Sequence, residues 1–126
     1  MRVEAEFPAT MESAGAARRF AQRTLDEWNC PQLIDTVQLL VSELVSNALL
    51  HAQSPATVGI ALDGATLRVE VHDRSPVLPQ VQLAPPTADS GRGLMILDTL
   101  ADAWGVSAED DAKTVWFELG ASSVAS

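Results

Sequence analysis

The stretch from residue 31 to residue 52 constrains the fold more than any other part of the chain. Its apolar residues recur at helical spacing, and Gln53-Ser54-Pro55 interrupts the pattern. The spacing predicts a long helix over residues 31–52, with Pro31 in its first turn. Such a helix must bury its apolar face against a second layer of secondary structure. The residues of that face are Leu33, Ile34, Val37, Leu40, Val41, Leu44, Val45 and Ala48.

The rest of the chain predicts five strands and two further helices around this segment. Strands are predicted over residues 2–7, 56–62, 66–72, 103–107 and 114–119. Helices are predicted over residues 11–28, with Thr10 as the N-cap, and over residues 94–100. Asp63-Gly64 predicts a tight hairpin, and the proline-containing stretch 73–90 predicts a long loop of the kind that is usually functional.

The order of these elements predicts the fold class. Strand, two helices, a hairpin, a loop, a helix and two more strands suit an α/β fold rather than an all-α or all-β one. We expect a two-layer α/β sandwich with a mixed, mostly antiparallel sheet and three helices on one face. Because the chain has 126 residues, we expect residues 1–126 to form a single domain with a core of its own.

The charge of the chain argues against two classes of partner. The formal net charge is -9, so the surface repels phosphate backbones and anionic lipid, and neither nucleic acid nor membrane is expected as a partner. No uninterrupted run approaches the roughly 18 apolar residues of a membrane span. Cys30 is the only cysteine, and the first residues do not resemble a signal peptide. We therefore expect a cytoplasmic protein.

A polar stripe runs along the apolar helix. Glu43, Asn47 and His51 follow one another at every fourth residue, so they share one face. On an isolated helix this would most often be a solvated face. The stripe is nevertheless flanked by leucines and lacks lysine and arginine. An amide oxygen is a ligand that suits Mg²⁺, and a carboxylate one turn away can take a proton from a hydroxyl group.

Two weaker features follow downstream. Asp73 ends a predicted strand, where a carboxylate can accept a hydrogen bond from an exocyclic amine, although an ordinary turn residue would look the same. Gly91-Arg92-Gly93 precedes a predicted helix. Glycines there let the backbone approach a phosphate, and the helix N-terminus offers unpaired N–H groups, although two such glycines often form only a turn.

Taken in order, the three features resemble the GHKL superfamily of ATPase domains. Glu43-Leu-Val-Ser-Asn47 and the residues up to Ala52 look like its N box, Asp73 like the aspartate of its first glycine box, and Gly91-Arg-Gly-Leu94 like its second. The stretch from Lys113 to Leu119 is similar to the last strand of that fold. The nearest branch is the anti-sigma-factor serine/threonine kinases, and the resemblance covers nearly the whole chain.

The resemblance implies ATP and Mg²⁺ as ligands and a role for each site residue. Asn47 would ligate Mg²⁺, Glu43 would be the catalytic base, and Asp73 would bind adenine. The other residues expected to line the nucleotide are His51, Arg92, Gly93, Leu94 and Thr114. The implied activity is phosphorylation of a serine or threonine on an anti-anti-sigma-type protein. A sigma factor as a second partner and a homodimer also agree with the resemblance.

One departure from the family pattern keeps two other functions open. After Asp73 the sequence continues Arg-Ser-Pro rather than with glycines, and proline stiffens the backbone near the expected adenine. A module that binds nucleotide weakly and acts by protein contact would tolerate this change. A shared fold with an unrelated ligand is the third reading, and the agreement of motif order and spacing disfavours it.

Overall fold

A single five-stranded sheet forms one layer of the protein. The computed structural model describes residues 1–52, 54–74, 92–109 and 112–121. The strands are β1 (Arg2–Phe7), β2 (Ala56–Asp63), β3 (Thr66–Asp73), β4 (Ala103–Glu109) and β5 (Ala112–Gly120). The helices are α1 (Ser13–Glu27), α2 (Ile34–Asn47) and α3 (Arg92–Leu100). The predicted loop lies outside the described residues from position 75 to position 90, as does Gly91 of the predicted glycine turn.

The strand order is β1-β2-β3-β5-β4, and each neighbouring pair is antiparallel. The expected α/β sandwich is confirmed, and the sheet is antiparallel throughout the described strands rather than mixed. The hairpin between β2 and β3 is also confirmed. Its two turn residues are Gly64 and Ala65, because Asp63 still pairs with Thr66. Gly64 has a φ of 62°, which glycine adopts without steric cost.

Helix α1 differs from the prediction at its N-terminus. The helix begins at Ser13, so Thr10 is not its N-cap, and that prediction was wrong. Ser13 is buried and its hydroxyl donates a hydrogen bond to the carbonyl of Pro8, which fixes the chain entering the helix. At the other end Asn29 has a φ of 58°. The Asn29 and Cys30 N–H groups donate to the carbonyls of Asp26 and Leu25, which is a Schellman motif.

The second helix lies between the other two and packs on the sheet. The predicted segment 31–52 is helical throughout, as a 3₁₀ turn (Pro31–Leu33), then α2, then a π-helical turn (Ala48–Ala52). The helix contacts both α1 and α3. Its inward face is buried and consists of Val37, Leu40, Val41, Leu44 and Val45.

The stretch Pro31–Leu50 is long and apolar enough to cross a bilayer by length and composition. The buried face just described accounts for this apolar character within the fold. The core helix of a folded domain can meet the same length and composition test as a membrane span.

The two faces of the sheet differ in character because side chains alternate along each strand. On β3, Leu67, Val69 and Val71 are buried under the helices, and on β5 Val115 and Phe117 are buried with them. The residues between them point to the opposite face, which we call the outer face. Its residues on the two central strands are Arg68, Glu70, His72, Thr114, Trp116 and Glu118.

Arg68 organises the outer face. Its guanidinium binds Glu70 at 2.9 Å and Glu118 at 3.0 Å and lies 4.2 Å from the centre of the Trp116 ring. Burial acts to lower the pKa of Arg68, but the hydrogen bonds and charges of the two glutamates outweigh it, so the pKa is raised. The charged guanidinium of Arg68 thus makes a cation–π contact with the Trp116 ring, which favours this position of the ring.

The Trp116 ring occupies the space above Gly105, its partner on β4. A Cβ atom at Gly105 would lie 2.8 Å from two atoms of the indole ring, which is closer than side chains approach one another. At Gly59 on β2, the nearest atom to such a Cβ would be the guanidinium end of Arg2 at 3.2 Å. A long flexible side chain can move away more easily than a ring in contact with Arg68.

We expect Gly105→Ala to lower the free energy of unfolding by about 1–3 kcal/mol, the usual cost of overpacking. Gly59→Ala is the matched control on the same face and should change it by less than about 1 kcal/mol. Urea denaturation of the two variants measures the difference. Equal effects of the two substitutions would show that the indole ring does not fill the space above Gly105.

Candidate functional site

The polar stripe of α2 is half-buried. Ser42, Glu43, Ser46 and Asn47 are all intermediate in exposure, whereas Leu39 and Leu50 are exposed on the same segment. Glu43 and Asn47 lie one turn apart, and α2 passes into the π-helical turn directly after Asn47. Single π-turns often occur at functional sites, where they reposition side chains. The stripe is thus not the wet face that an isolated helix would present.

The two flanks of α2 have different neighbours. Gln38 donates a hydrogen bond to the carbonyl of Arg18, and the Arg18 guanidinium donates to the hydroxyl of Ser42 at 2.9 Å, so this flank faces α1. Successive residues of a helix are rotated by about 100°, so Glu43 and Asn47 lie on the other flank. They are therefore turned away from α1, on the side of α2 left for α3.

The segment that follows α2 contacts the residue that follows β3. The N–H of Arg74, directly after Asp73, donates to the hydroxyl of Ser54, shortly after the π-helical turn, at 3.1 Å. Asp73 is the last residue of β3 and is 3% exposed. By alternation its side chain shares the face of Val71 and Val69, between the sheet and the helices. The structure thus brings the end of the N-box segment and Asp73 to the same edge.

Asp73 forms a buried ion pair that sequence reasoning missed. Its cross-strand partner is Lys113 on β5, and the Lys113 Nζ lies 3.5 Å from the Asp73 Oδ2. The two side chains are 4% and 7% exposed. A buried carboxylate and ammonium must be paired, because each alone would lose its hydration without compensation. The site therefore includes a cation beside the aspartate that was expected to bind adenine.

Thr114 lies on the opposite side of the sheet from Asp73. Its hydroxyl is 3.0 Å from the Nδ1 of His72, and both belong to the outer face. There they line an open cavity of about 340 Å³ together with Glu4, Thr57, Gly59 and Glu70. The expected grouping of Thr114 with Asp73 is therefore corrected: alternation along β5 turns Lys113 toward Asp73 and Thr114 away from it.

The remaining predicted residues are placed by their backbone. His51 belongs to the π-helical turn that follows Asn47, and Arg92, Gly93 and Leu94 form the first turn of α3. Because α3 begins at Arg92 and packs on α2, its N-terminal N–H groups belong to the same helical layer as Glu43 and Asn47. An anion could use such N–H groups as donors.

Parity along the last strand could have identified Lys113 from the sequence. Val115, Phe117 and Leu119 are the buried apolar residues of β5, and Lys113 is the next position on the same face of the strand. A lysine in line with a buried strand face is uncommon, because lysine is rarely buried unless it is paired. The family pattern instead points to its neighbour Thr114.

The family of the chain follows from comparison with known proteins. Residues 7–119 match the profile of the Histidine kinase-like ATPase domain, so the chain belongs to this family. Membership confirms the GHKL resemblance and implies ATP binding. The individual roles of Glu43, Asn47 and Asp73 stay predictions.

Two related proteins show how far the similarity extends. An uncharacterized protein of Streptomyces coelicolor is 40% identical over 65 residues, which covers 49% of this chain and 62% of that protein. The RsbU and RsbW domains of a Mycobacterium tuberculosis protein superpose with a TM-score of 0.74 at 20% identity, covering 94% of this chain and 32% of that chain. The second likeness concerns the fold alone. The chain spans less than two thirds of the length of either relative.

We expect the Asp73–Lys113 pair to be strongly coupled. Asp73→Asn or Lys113→Met leaves one buried charge without this partner and should lower the free energy of unfolding by about 3 kcal/mol. The double variant should lose less than the sum of the two, by roughly 1–3 kcal/mol. Urea denaturation of the four proteins gives this coupling energy.

The exposed pair Arg2–Glu4, whose side chains are 53% and 56% exposed, is the matched control. Its coupling should stay below about 1 kcal/mol. A coupling between Asp73 and Lys113 as small as that of the control pair would contradict a buried ion pair.

Proposed function

We propose that the protein is a regulatory kinase that binds ATP with Mg²⁺ and phosphorylates a serine or threonine of an anti-anti-sigma-type protein. The observation that carries the proposal is the half-buried Glu43–Asn47 pair on the central helix. The hydrogen bond between Arg74 and Ser54 brings the segment that follows this helix close to Asp73. A carboxylate, an amide and a base-binding aspartate are the groups that such a transfer requires.

Asn47 is the proposed metal ligand. The residue is intermediate in exposure, so it is neither sealed in the core nor fully in water. Mg²⁺ takes few protein ligands and keeps most of its waters and phosphate oxygens, so one amide oxygen at the rim of the helix layer suits it. When bound, the metal would neutralise charge on the phosphates of ATP.

Glu43 is the proposed general base. The serine or threonine oxygen would attack the γ-phosphorus, forming an O–P bond as the bond from that phosphorus to the bridging oxygen of ADP breaks. The hydroxyl proton would pass to the Glu43 carboxylate. ADP leaves with the electron pair of the broken bond, so the transfer needs no other reactant.

Asp73 is the proposed adenine-binding residue, and the first turn of α3 is proposed to hold the phosphates. A buried carboxylate accepts hydrogen bonds and distinguishes an amino group from a carbonyl oxygen. The N–H groups that begin at Arg92 and Gly93, and the Arg92 cation, suit the phosphate end. His51 and Leu94 complete the proposed nucleotide contacts.

The proposed partner and location rest on the same resemblance. An anti-anti-sigma-type protein is the proposed substrate, a sigma factor a second partner, and a homodimer the proposed assembly, all in the cytoplasm. Among structures with this fold, the mycobacterial chain carries an RsbW domain beside an RsbU domain. This supports a regulatory setting for the fold.

One observation favours a second function, a module that binds nucleotide but barely transfers phosphate. The sequence after Asp73 is Arg74-Ser75-Pro76 rather than glycines. Proline stiffens the backbone where glycines would let it move near the nucleotide. Such a protein would act by contact with its partner, with ATP setting its shape.

We expect Asn47→Ala to abolish the Mg²⁺-dependent part of ATP binding in isothermal titration calorimetry. Gln38→Ala, which removes an amide from the α1 flank of the same helix, should bind ATP as the unaltered protein does. The two changes remove the same chemical group from opposite flanks, so general loss of helix stability affects both. Retained Mg²⁺ dependence in Asn47→Ala would exclude this residue as the metal ligand.

Glu43→Gln should keep ATP affinity within a few-fold and reduce phosphoryl transfer by about 10²-fold or more, the usual contribution of a general base. Transfer is measured by mass spectrometry of purified anti-anti-sigma-type domains incubated with the kinase and ATP. Ser46→Ala on the same helix is the control. ATP binding without transfer by the unaltered protein, to any such domain, would favour the contact module instead.

A further inference from the structure

Lys113 is the only lysine in the sequence, and it is buried. Every other cationic side chain of the protein is an arginine or a histidine. Lysine is strongly hydrated and seldom placed in a core, because removing its ammonium from water is costly. An apolar residue at this position would continue the buried row of Val115, Phe117 and Leu119 on the same face of β5. The ammonium therefore needs an explanation beyond packing.

The Asp73 carboxylate engages only part of the hydrogen-bonding capacity of the ammonium. An ammonium has three N–H donors. Within the parts of the chain that the structure describes, its ion-pair partner is the Asp73 carboxylate, with Nζ 3.5 Å from Oδ2, which is the long limit for a hydrogen bond. The ammonium can therefore donate to a ligand atom in addition to pairing with Asp73, and at 7% exposure it would do so in a site shielded from water.

The Asp73–Lys113 pair lies at the position proposed above for the base of the nucleotide. Asp73 is the last residue of β3 and Lys113 is the second residue of β5. Both therefore lie at the same end of these two strands, next to the hydrogen bond between Arg74 and Ser54. Their side chains face the helix layer that carries Glu43 and Asn47, on the opposite side of the sheet from Thr114. A carboxylate and an ammonium side by side present one acceptor and one donor to whatever enters from that edge.

We infer that Lys113 and Asp73 together bind the base of the nucleotide, with Lys113 donating a hydrogen bond to the ring nitrogen N1 of adenine. The edge of adenine offers an amino group next to N1, which is one donor beside one acceptor. Asp73 can accept from the amino group only, because an ionised carboxylate has no donor. Lys113 supplies the donor that N1 requires. This inference rests on the proposed function, since it assumes that Asp73 meets adenine.

The inference is tested first with the unaltered protein. Binding of ATP, 1-deaza-ATP, which has a carbon in place of N1, and 7-deaza-ATP, which has a carbon in place of N7, is measured by calorimetry with Mg²⁺. We expect 1-deaza-ATP to bind at least about tenfold more weakly than ATP, the effect of losing a hydrogen bond to a charged group. 7-Deaza-ATP is the matched control and should bind like ATP.

Lys113→Met connects this loss to the lysine. The variant should bind ATP about as weakly as the unaltered protein binds 1-deaza-ATP, and it should no longer distinguish the two nucleotides. A lysine that only stabilises the fold would lower the affinity for both nucleotides by the same factor. Because Lys113 is unique, protein labelled with ¹⁵N-lysine should show one side-chain ammonium signal that shifts with ATP and does not shift with 1-deaza-ATP.

The failures are distinguishable. Equal affinity of the unaltered protein for ATP and 1-deaza-ATP would overturn the role of Lys113 and leave the proposed function standing. Absence of binding to ATP and to 7-deaza-ATP would overturn the proposed function and this inference with it. The comparison of nucleotides needs no variant, so the result stands even where Lys113→Met fails to fold.

Discussion

The packing of α2 across the sheet is the contact on which the rest of the structure depends. Val37, Leu40, Val41, Leu44 and Val45 are buried. A protein interior is close-packed, so the helix cannot rotate about its axis without exposing part of that face. The rotation of the helix therefore sets where its polar residues lie. Glu43 and Asn47 lie on the flank of α2 that faces α3. On the opposite flank, Gln38 and Ser42 form hydrogen bonds with Arg18 of α1.

The register of the central strands couples the core to the site in the same way. Val69 and Val71 on β3 and Val115 and Phe117 on β5 are buried, and residues of the same parity at the strand ends are Asp73 and Lys113. A slip of one residue would turn every apolar side chain outward, so burial of the valines holds the ion pair in place. The free energy gained by burying the core thus also offsets the cost of desolvating the two charges at its edge.

Much of the fold was open to prediction because the relevant signals are local. Helical periodicity identified the segment 31–52 and the hairpin residues identified the β2–β3 turn, and both are confirmed. Thr10 was wrong as an N-cap because the helix begins only at Ser13, whose buried hydroxyl donates to the carbonyl of Pro8. That contact depends on where β1 leaves the sheet, which no short sequence pattern encodes.

The candidate site was predictable in its types of residue more than in its grouping. Glu43, Asn47 and Asp73 were chosen from spacing and from the family pattern, and the structure brings the segments that carry them to one edge. The family pattern places Thr114 in the same group, but side chains alternate along β5, so Thr114 lies beside His72 and away from Asp73. Its neighbour Lys113 occupies the place beside the carboxylate instead.

By itself the sequence determined the α/β class, the order of the elements and the apolar helix with Glu43 and Asn47 on it, because these follow from periodicity within single segments. Only the tertiary structure decided that Asp73 meets Lys113 and that His72 meets Thr114 on the other face. Those pairs join residues about forty positions apart through the register of β3 with β5. Register is set by the packing of the whole sheet against α2, so no single segment contains it.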